Sequence, residues 1–230
     1  MGLGTQDSGL KTMNNFKTIF DNIPAALKLI VISKTKTEAE IMEVYNCGHR
    51  LFGENKVQEL VPKFNDLPKD IHWHLVGHLQ TNKVKYIAPF VSMIHSVDSL
   101  KLLKEINKQA LKNNRTIDCL LQMHIAEEET KFGMDIMELE SLLNDPEFKT
   151  LKNARICGLM GMATFTDDHN QVRKEFAGLY NTFQSIKQKF FKDSLIFKEL
   201  SIGMTDDYKI AIEEGSTMVR IGTAIFGERH

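Results

Sequence analysis

Long apolar runs recur along this chain, and an amphipathic stretch follows nearly every one of them. The runs are KLIVIS (28–33), RLFGE (50–54), IHWHLVG (71–77), VSMIHSV (91–97), IDCLLQMHI (117–125), ARICGLMGMA (154–163), FKELSIG (197–203) and TMVRIGTAIFG (217–227). Most are apolar on both alternations, which is the pattern of strands covered on both faces. The stretches between them have helical spacing. Ile41, Val44 and Tyr45 form one apolar stripe, with Thr37 and Glu40 at capping-box separation before it and Gly48 after it. Asp98 or Ser99 can cap LKLLKEINKQALKNN, the longest helical stretch is HNQVRKEFAGLYNTFQSIKQKF, and Gly215 suits the end of DDYKIAIEEG. Alternating strand and helix argues for a parallel α/β fold. Eight such units in 230 residues point to a single (β/α)8 TIM-type barrel. A doubly wound open sheet competes, but GxGxxG does not follow the first strand.

Composition narrows the class. A hydrophobic content of 42% suits one full core, and a formal net charge of -1 does not suit nucleic acid as the main partner. Cys47, Cys119 and Cys157 are odd in number and far apart, so they form no disulfide framework and suit a reducing cytoplasm. No apolar run reaches the roughly 18 residues of a membrane span. Residues 1–12 read as a disordered leader or an expression scar, with residues 13–230 as the one domain.

Active sites of barrels lie at the C-terminal ends of the strands. Lys34 follows the first strand there. It is either a solvated loop lysine or an amine whose partial burial favours Schiff-base chemistry, and Lys36 is its neighbouring competitor. Met218, Arg220 and Gly222 share one face of the last strand. An inward arginine needs an acceptor, either a protein carboxylate or a ligand atom. The turns SIGMT (201–205) and IGT (221–223) end the last two strands, where barrels often bind phosphate. Glycine there admits close approach, while N–H and hydroxyl groups grip oxygen; the plain alternative is two tight turns. Glu54 reads as a partner for a basic residue. His72, His74 and His78 offer a zinc site only weakly, because strand-plus-loop spacing does not specify three convergent ligands with an open position, and Met160, Met162, Met204 and Met218 read as core filler.

The blocks VISKTK, GHRLFGENKVQE, WHLVGHLQTNK, ETKFGM, GLMGMAT, LSIGMTDDY and GSTMVRIGTAIFGER carry a resemblance spanning about Leu27 to Arg229. In them the chain resembles the YggS/PROSC-type pyridoxal phosphate homeostasis proteins, which are related to the N-terminal domain of alanine racemase. Leu75 stands where that family usually has Phe or Met, and Lys56 where many members have Tyr. The resemblance implies an alanine racemase-like barrel without that enzyme's C-terminal β domain. It implies pyridoxal 5'-phosphate (PLP) held as a Schiff base on Lys34, with Asn55 beside it. Ser201, Gly203 and Thr205 then surround the phosphate, Gly222 and Thr223 complete it, and Arg220 faces the pyridine nitrogen. A cation there disfavours protonation of the ring nitrogen and makes the cofactor a poorer electron sink.

Racemases of this fold add a tyrosine base from the β domain. Here the sequence ends at His230, and Tyr45, Tyr86, Tyr180 and Tyr208 offer no evident replacement. The expectation is therefore a non-catalytic PLP carrier of vitamin B6 homeostasis. It is expected to be cytoplasmic, a monomer or weak dimer, with apo PLP-dependent enzymes as partners. The alternatives are a PLP-dependent amino-acid racemase-like enzyme and a cofactor-free barrel enzyme acting on a sugar phosphate.

Overall fold

The apolar runs become the staves of a closed parallel barrel. A computed structural model describes residues 3–128 and 132–227. The strands are β1 (Lys28–Ile32), β2 (Leu51–Glu54), β3 (His72–Leu75), β4 (Met93–Val97), β5 (Ile117–Met123), β6 (Ala154–Gly161), β7 (Glu199–Ser201) and β8 (Met218–Ile221). They pair in sequence order, and the ring closes where β1 meets β8, with Ile30 opposite Arg220 and Val31 opposite Ile221.

Alternation along each stave divides the apolar residues into two populations. Leu29, Val31, Val219 and Ile221 face outward into the large core beneath the helices. Met93, Leu120, Cys157, Met160 and Met218 form a separate cluster, as do Ile30, Ile32 and Val76, and these fill the barrel interior. Buried polar residues share that interior. At its N-terminal end Lys28 meets Glu199 at 2.6 Å.

The helices are α1 (Leu3–Asn22), α2 (Glu38–Asn46), α3 (Val57–Asp66), α4 (Val84–Ile87), α5 (Leu100–Lys112), α6 (Ile136–Asn144), α7 (His169–Phe190), α8 (Tyr208–Glu213) and α9 (Thr223–Phe226). Local chemistry sets their ends. Thr37 and Glu40 form the expected capping box, and Ser99 caps α5. On α7, Val172, Phe176, Leu179, Phe183 and Ile186 are buried at helical spacing against the barrel.

Three sequence expectations change. The last run is not all strand: Ile221 ends β8, and TAIF turns into α9 as Ile225 and Phe226 donate to the Gly222 carbonyl. The helix expected over QTNKVKYIAPF shortens to a 3-10 turn at Thr81–Lys83 and α4. Ala88 keeps helical geometry, but Pro89 after it has no N–H with which to continue the ladder. Finally, α1 crosses the boundary expected at Met13 without a break. Its Phe16 and Ile19 are buried, as is Ile23 just past its end, and Asn15 Nδ2 donates to the Ile225 carbonyl at 3.1 Å.

No helix among the described residues is long and apolar enough to cross a membrane. Glu129, Thr130 and Lys131 of the ETKFGM block, and Glu228 and Arg229 of the last block, lie outside the described residues.

Candidate functional site

The C-terminal ends of the strands enclose a cavity of about 530 Å³. Lys34, Asn55, Thr205, Arg220, Gly222 and Thr223 all line it, although they come from both ends of the sequence. The remaining two residues expected at the site, Ser201 and Gly203, do not line it.

Lys34 leaves β1 in a loop pinned on either side of it. Ser33 Oγ donates to Glu54 Oε1 at 2.6 Å, and Lys63 Nζ donates to the Ser33 carbonyl at 2.7 Å. The same ammonium bonds Glu54 Oε1 at 2.7 Å. Glu54 is thus the ion-pair partner that its position suggested, and burial pushes its pKa up against the opposing pull of Lys63. On the other side, Thr35 takes a left-handed φ of 63° and donates its N–H to Glu59 Oε2 at 2.8 Å. A β-branched residue in that region is strained, and α3 holds it there through Glu59. Lys36 also lines the cavity, but its Nζ pairs with Glu40 at 3.2 Å and sits over the Phe226 ring.

Arg220 is almost fully buried, and its acceptors are protein oxygens rather than a carboxylate. Nη1 donates to the Ser201 carbonyl at 2.7 Å and to Ser201 Oγ at 2.6 Å, while Nη2 donates to the Gly161 carbonyl at 3.0 Å. These bonds hold the guanidinium plane at the cavity floor. Burial pulls its pKa down to about 10, with Asp207 opposing, so it stays cationic at neutral pH.

Ser201 is therefore a support beneath Arg220, where the sequence suggested a phosphate ligand. Its hydroxyl is spent below the cavity floor, on Arg220 and on His95. Gly203 is a support too. Its φ is 93°, and a Cβ there would meet the Ala211 Cβ at 2.6 Å, so glycine lets α8 pack on the strand end. Its carbonyl accepts the Arg220 N–H at 2.9 Å.

The anion-binding chemistry falls to the remaining turn residues. Among the described residues, the N–H groups of Thr205, Gly222 and Thr223 make no hydrogen bond. Thr205 and Thr223 add hydroxyls. At Gly222 a Cβ would stand 2.8 Å from the Ile32 carbonyl, so only glycine allows β8 to leave the seam this close to β1. Asp207 accepts the Met204 N–H at 2.5 Å and fixes the first of the two turns.

Several lining residues were not legible as such. The His78 ring stacks on Phe132 at 4.1 Å, and its Nδ1 meets Asp98 at 3.4 Å. Gln122 Nε2 donates to the Phe132 carbonyl at 2.9 Å. Met204 lines the cavity rather than filling core, Met162 lines it while packing on the interior cluster, and Met160 and Met218 are interior filler. His74 is buried against His95, and His72 is exposed at the far end of β3, so the three histidines of that segment stand apart.

Comparison with known proteins places this geometry. The family model described as "Alanine racemase, N-terminal domain" matches residues 11–230. The pyridoxal phosphate homeostasis protein of Aquifex aeolicus is 41% identical over 204 residues, 88% of this chain and 87% of that protein. Its namesake in Synechocystis is 36% identical over 216 residues, 93% of this chain and 97% of that protein. The structure of PipY of Synechococcus elongatus with PLP bound superposes with a TM-score of 0.85 at 33% identity, over 94% of this chain and 100% of that one. Alanine racemase of Bartonella henselae shares the fold, with a TM-score of 0.72 at 14% identity, over 96% of this chain and 61% of that one. The chain belongs to the pyridoxal phosphate homeostasis proteins of the alanine racemase N-terminal domain family.

Proposed function

We propose that this protein binds pyridoxal 5'-phosphate in the barrel mouth, as a Schiff base on Lys34, and serves vitamin B6 homeostasis as a carrier rather than a catalyst. The observation that carries the reading is the shared cavity: a primary amine, a buried guanidinium and a cluster of unspent N–H and hydroxyl donors face one space. PLP supplies an aldehyde that condenses with a primary amine, an aromatic ring with one nitrogen, and a phosphate. The residues fit those three parts. Lys34 offers the amine, Arg220 a fixed cation for the ring nitrogen, and Thr205, Gly222 and Thr223 the donors for phosphate oxygens. Asn55 lies beside them on the exit of β2.

Lys34 is preferred to Lys36 because it follows directly on β1, between the bonds that pin Ser33 and Thr35. The pinned loop also gives the Lys34 stem one exit direction. Free thiols at Cys47, Cys119 and Cys157 support a reducing compartment, the cytoplasm. The carrier reading rests on relatives named for homeostasis and on resemblance to PipY. On that reading, apo PLP-dependent enzymes receive the cofactor from a monomer or weak dimer.

Borohydride reduction of the PLP-treated protein, followed by peptide mass mapping, tests the site. A pyridoxyl mark on Lys34 is expected, and a mark on Lys36 with Lys34 clean overturns the assignment. Incubation with L-amino acids tests the carrier role. No D-isomer is expected, and turnover abolished by Lys34→Ala favours the racemase reading instead.

A further inference from the structure

Below the cavity floor, a line of polar side chains crosses the barrel interior from β3 and β4 to β7 and β8. His74 Nδ1 on β3 lies 2.8 Å from His95 Nε2 on β4. His95 Nδ1 lies 3.0 Å from Ser201 Oγ on β7, which in turn accepts from Arg220 Nη1 on β8 at 2.6 Å. All four side chains are buried. Neither histidine lines the cavity. We propose that this line is a one-way hydrogen-bond relay, set in direction by Arg220, and that His95 is a positioning residue which fixes the Arg220 guanidinium for the ligand above it.

The direction follows from proton counting. A guanidinium only donates, so Ser201 Oγ receives the Arg220 proton. The serine hydroxyl must then place its own proton elsewhere. Among the described residues, the acceptor within reach is His95 Nδ1. A neutral His95 that accepts at Nδ1 carries its proton on Nε2 and donates it to His74 Nδ1. His74 then carries its proton on Nε2 as well. The opposite direction leaves the Ser201 hydroxyl proton with no acceptor, a costly arrangement in a buried site.

Burial favours neutral rings and supports this arrangement. It lowers the His74 pKa to about 3, and it lowers the His95 pKa well below the ordinary value. The cations acting on the pair are Lys28 on His74, and Arg220 and Lys28 on His95. Each opposes an imidazolium. The relay thus delivers no charge to the floor. It fixes Ser201, and Ser201 fixes the plane of Arg220.

The effect on the ligand rests on the PLP reading, but the relay itself does not, so the test has two arms. In the first, nitrogen-15 NMR of histidine-labelled protein without PLP reads the tautomers. Both His74 and His95 are expected as neutral Nε2–H forms from pH 5 to 8. An Nδ1–H form at either, or an imidazolium at pH 7, overturns the relay. In the second arm, PLP is titrated against Ser201→Ala and His95→Leu and followed by absorbance. An affinity loss of about tenfold with a shifted absorbance maximum is expected in both, with the pyridoxyl mark still on Lys34. Wild-type affinity and spectrum in Ser201→Ala overturn the positioning role; this isosteric variant carries the arm if His95→Leu does not fold. Failure of the wild type to bind PLP refutes the ligand reading and leaves the first arm to judge the relay.

Discussion

Lys63 Nζ donates to the carbonyl oxygen of Ser33 at 2.7 Å, which ties helix α3 to the residue just before Lys34. The bond matters because the same ammonium neutralises Glu54, whose Oε2 has no hydrogen-bond partner among the described residues. Lys63→Met leaves that carboxyl buried with only the Ser33 hydroxyl. The expected loss is about 3 kcal/mol at pH 7, as for a buried pair stripped of one member. Burial already pushes the Glu54 pKa up, so protonation softens the loss as pH falls. Urea unfolding of Lys63→Met and of Lys63→Met with Glu54→Gln checks this. The double variant is expected to recover at least half of the loss.

Glycine at position 222 is a steric requirement. Gly222→Ala puts a Cβ 2.8 Å from the Ile32 backbone oxygen, and neither strand of the seam can yield cheaply. The expected cost is about 2 kcal/mol, within the overpacking range, with PLP affinity lowered at least about tenfold because the turn donors move. Gly178→Ala is the control. Nothing lies within 4 Å of its would-be Cβ on α7. It is expected to stabilise by about 0.5 to 1 kcal/mol through helix propensity. Thermal unfolding and PLP titration of both variants check the contrast.

Thr35 offers a trade between stability and order. Its φ of 63° is costly for a β-branched residue and cheap for glycine. Thr35→Gly is expected to raise stability by about 1 kcal/mol. It also loosens the loop, so Lys34 reacts more slowly with PLP. Stopped-flow absorbance beside urea unfolding separates the two effects; a variant both less stable and equally fast sinks the strain argument.

Acid is expected to destabilise the fold through its buried imidazoles. Unfolded histidine takes a proton near 6.5, but burial holds His49 to about 4 and His74 to about 3. Between those values the unfolded chain binds more protons, so stability falls as pH falls. By pH 4 the loss is on the order of 3 kcal/mol for each of the two. Burial raises the pKa values of Glu54 and Asp207, and those groups work in the opposite direction. Above pH 7 the histidines add no slope. A urea midpoint that stays level from pH 7 to pH 5 contradicts this account.

The fold was legible because strand runs and helical stripes are local signals. Thr37 with Glu40, Ser99 and the full extent of α7 could be read within a few residues of themselves. Lys34 and Arg220 were legible because each is a charge where the local pattern expects none. Period two gave Arg220 the inward face, but it could not say that Ser201 lies under it rather than on the cavity wall. That contact joins residues from different staves, and a three-residue strand carries too little pattern to fix its depth. His95 and the pairing of Lys63 with Glu54 were hidden for the same reason. TAIF was read as strand because four apolar or β-branched residues after a strand look like more strand. The turn at Gly222 is set by its closeness to Ile32, which lies at the other end of the sequence.

The β1–β8 pairing has one more consequence. A ligand bonded to Lys34 and held by the Gly222 turn, as proposed, would span the junction where strands from opposite ends of the sequence meet. Such a ligand works as a clasp. Its binding energy then adds to the resistance of the barrel against springing open at that junction, in proportion to the logarithm of ligand concentration over its dissociation constant. Amide exchange along Ile30 and Ile221 would slow on loading more than exchange on the far side of the ring.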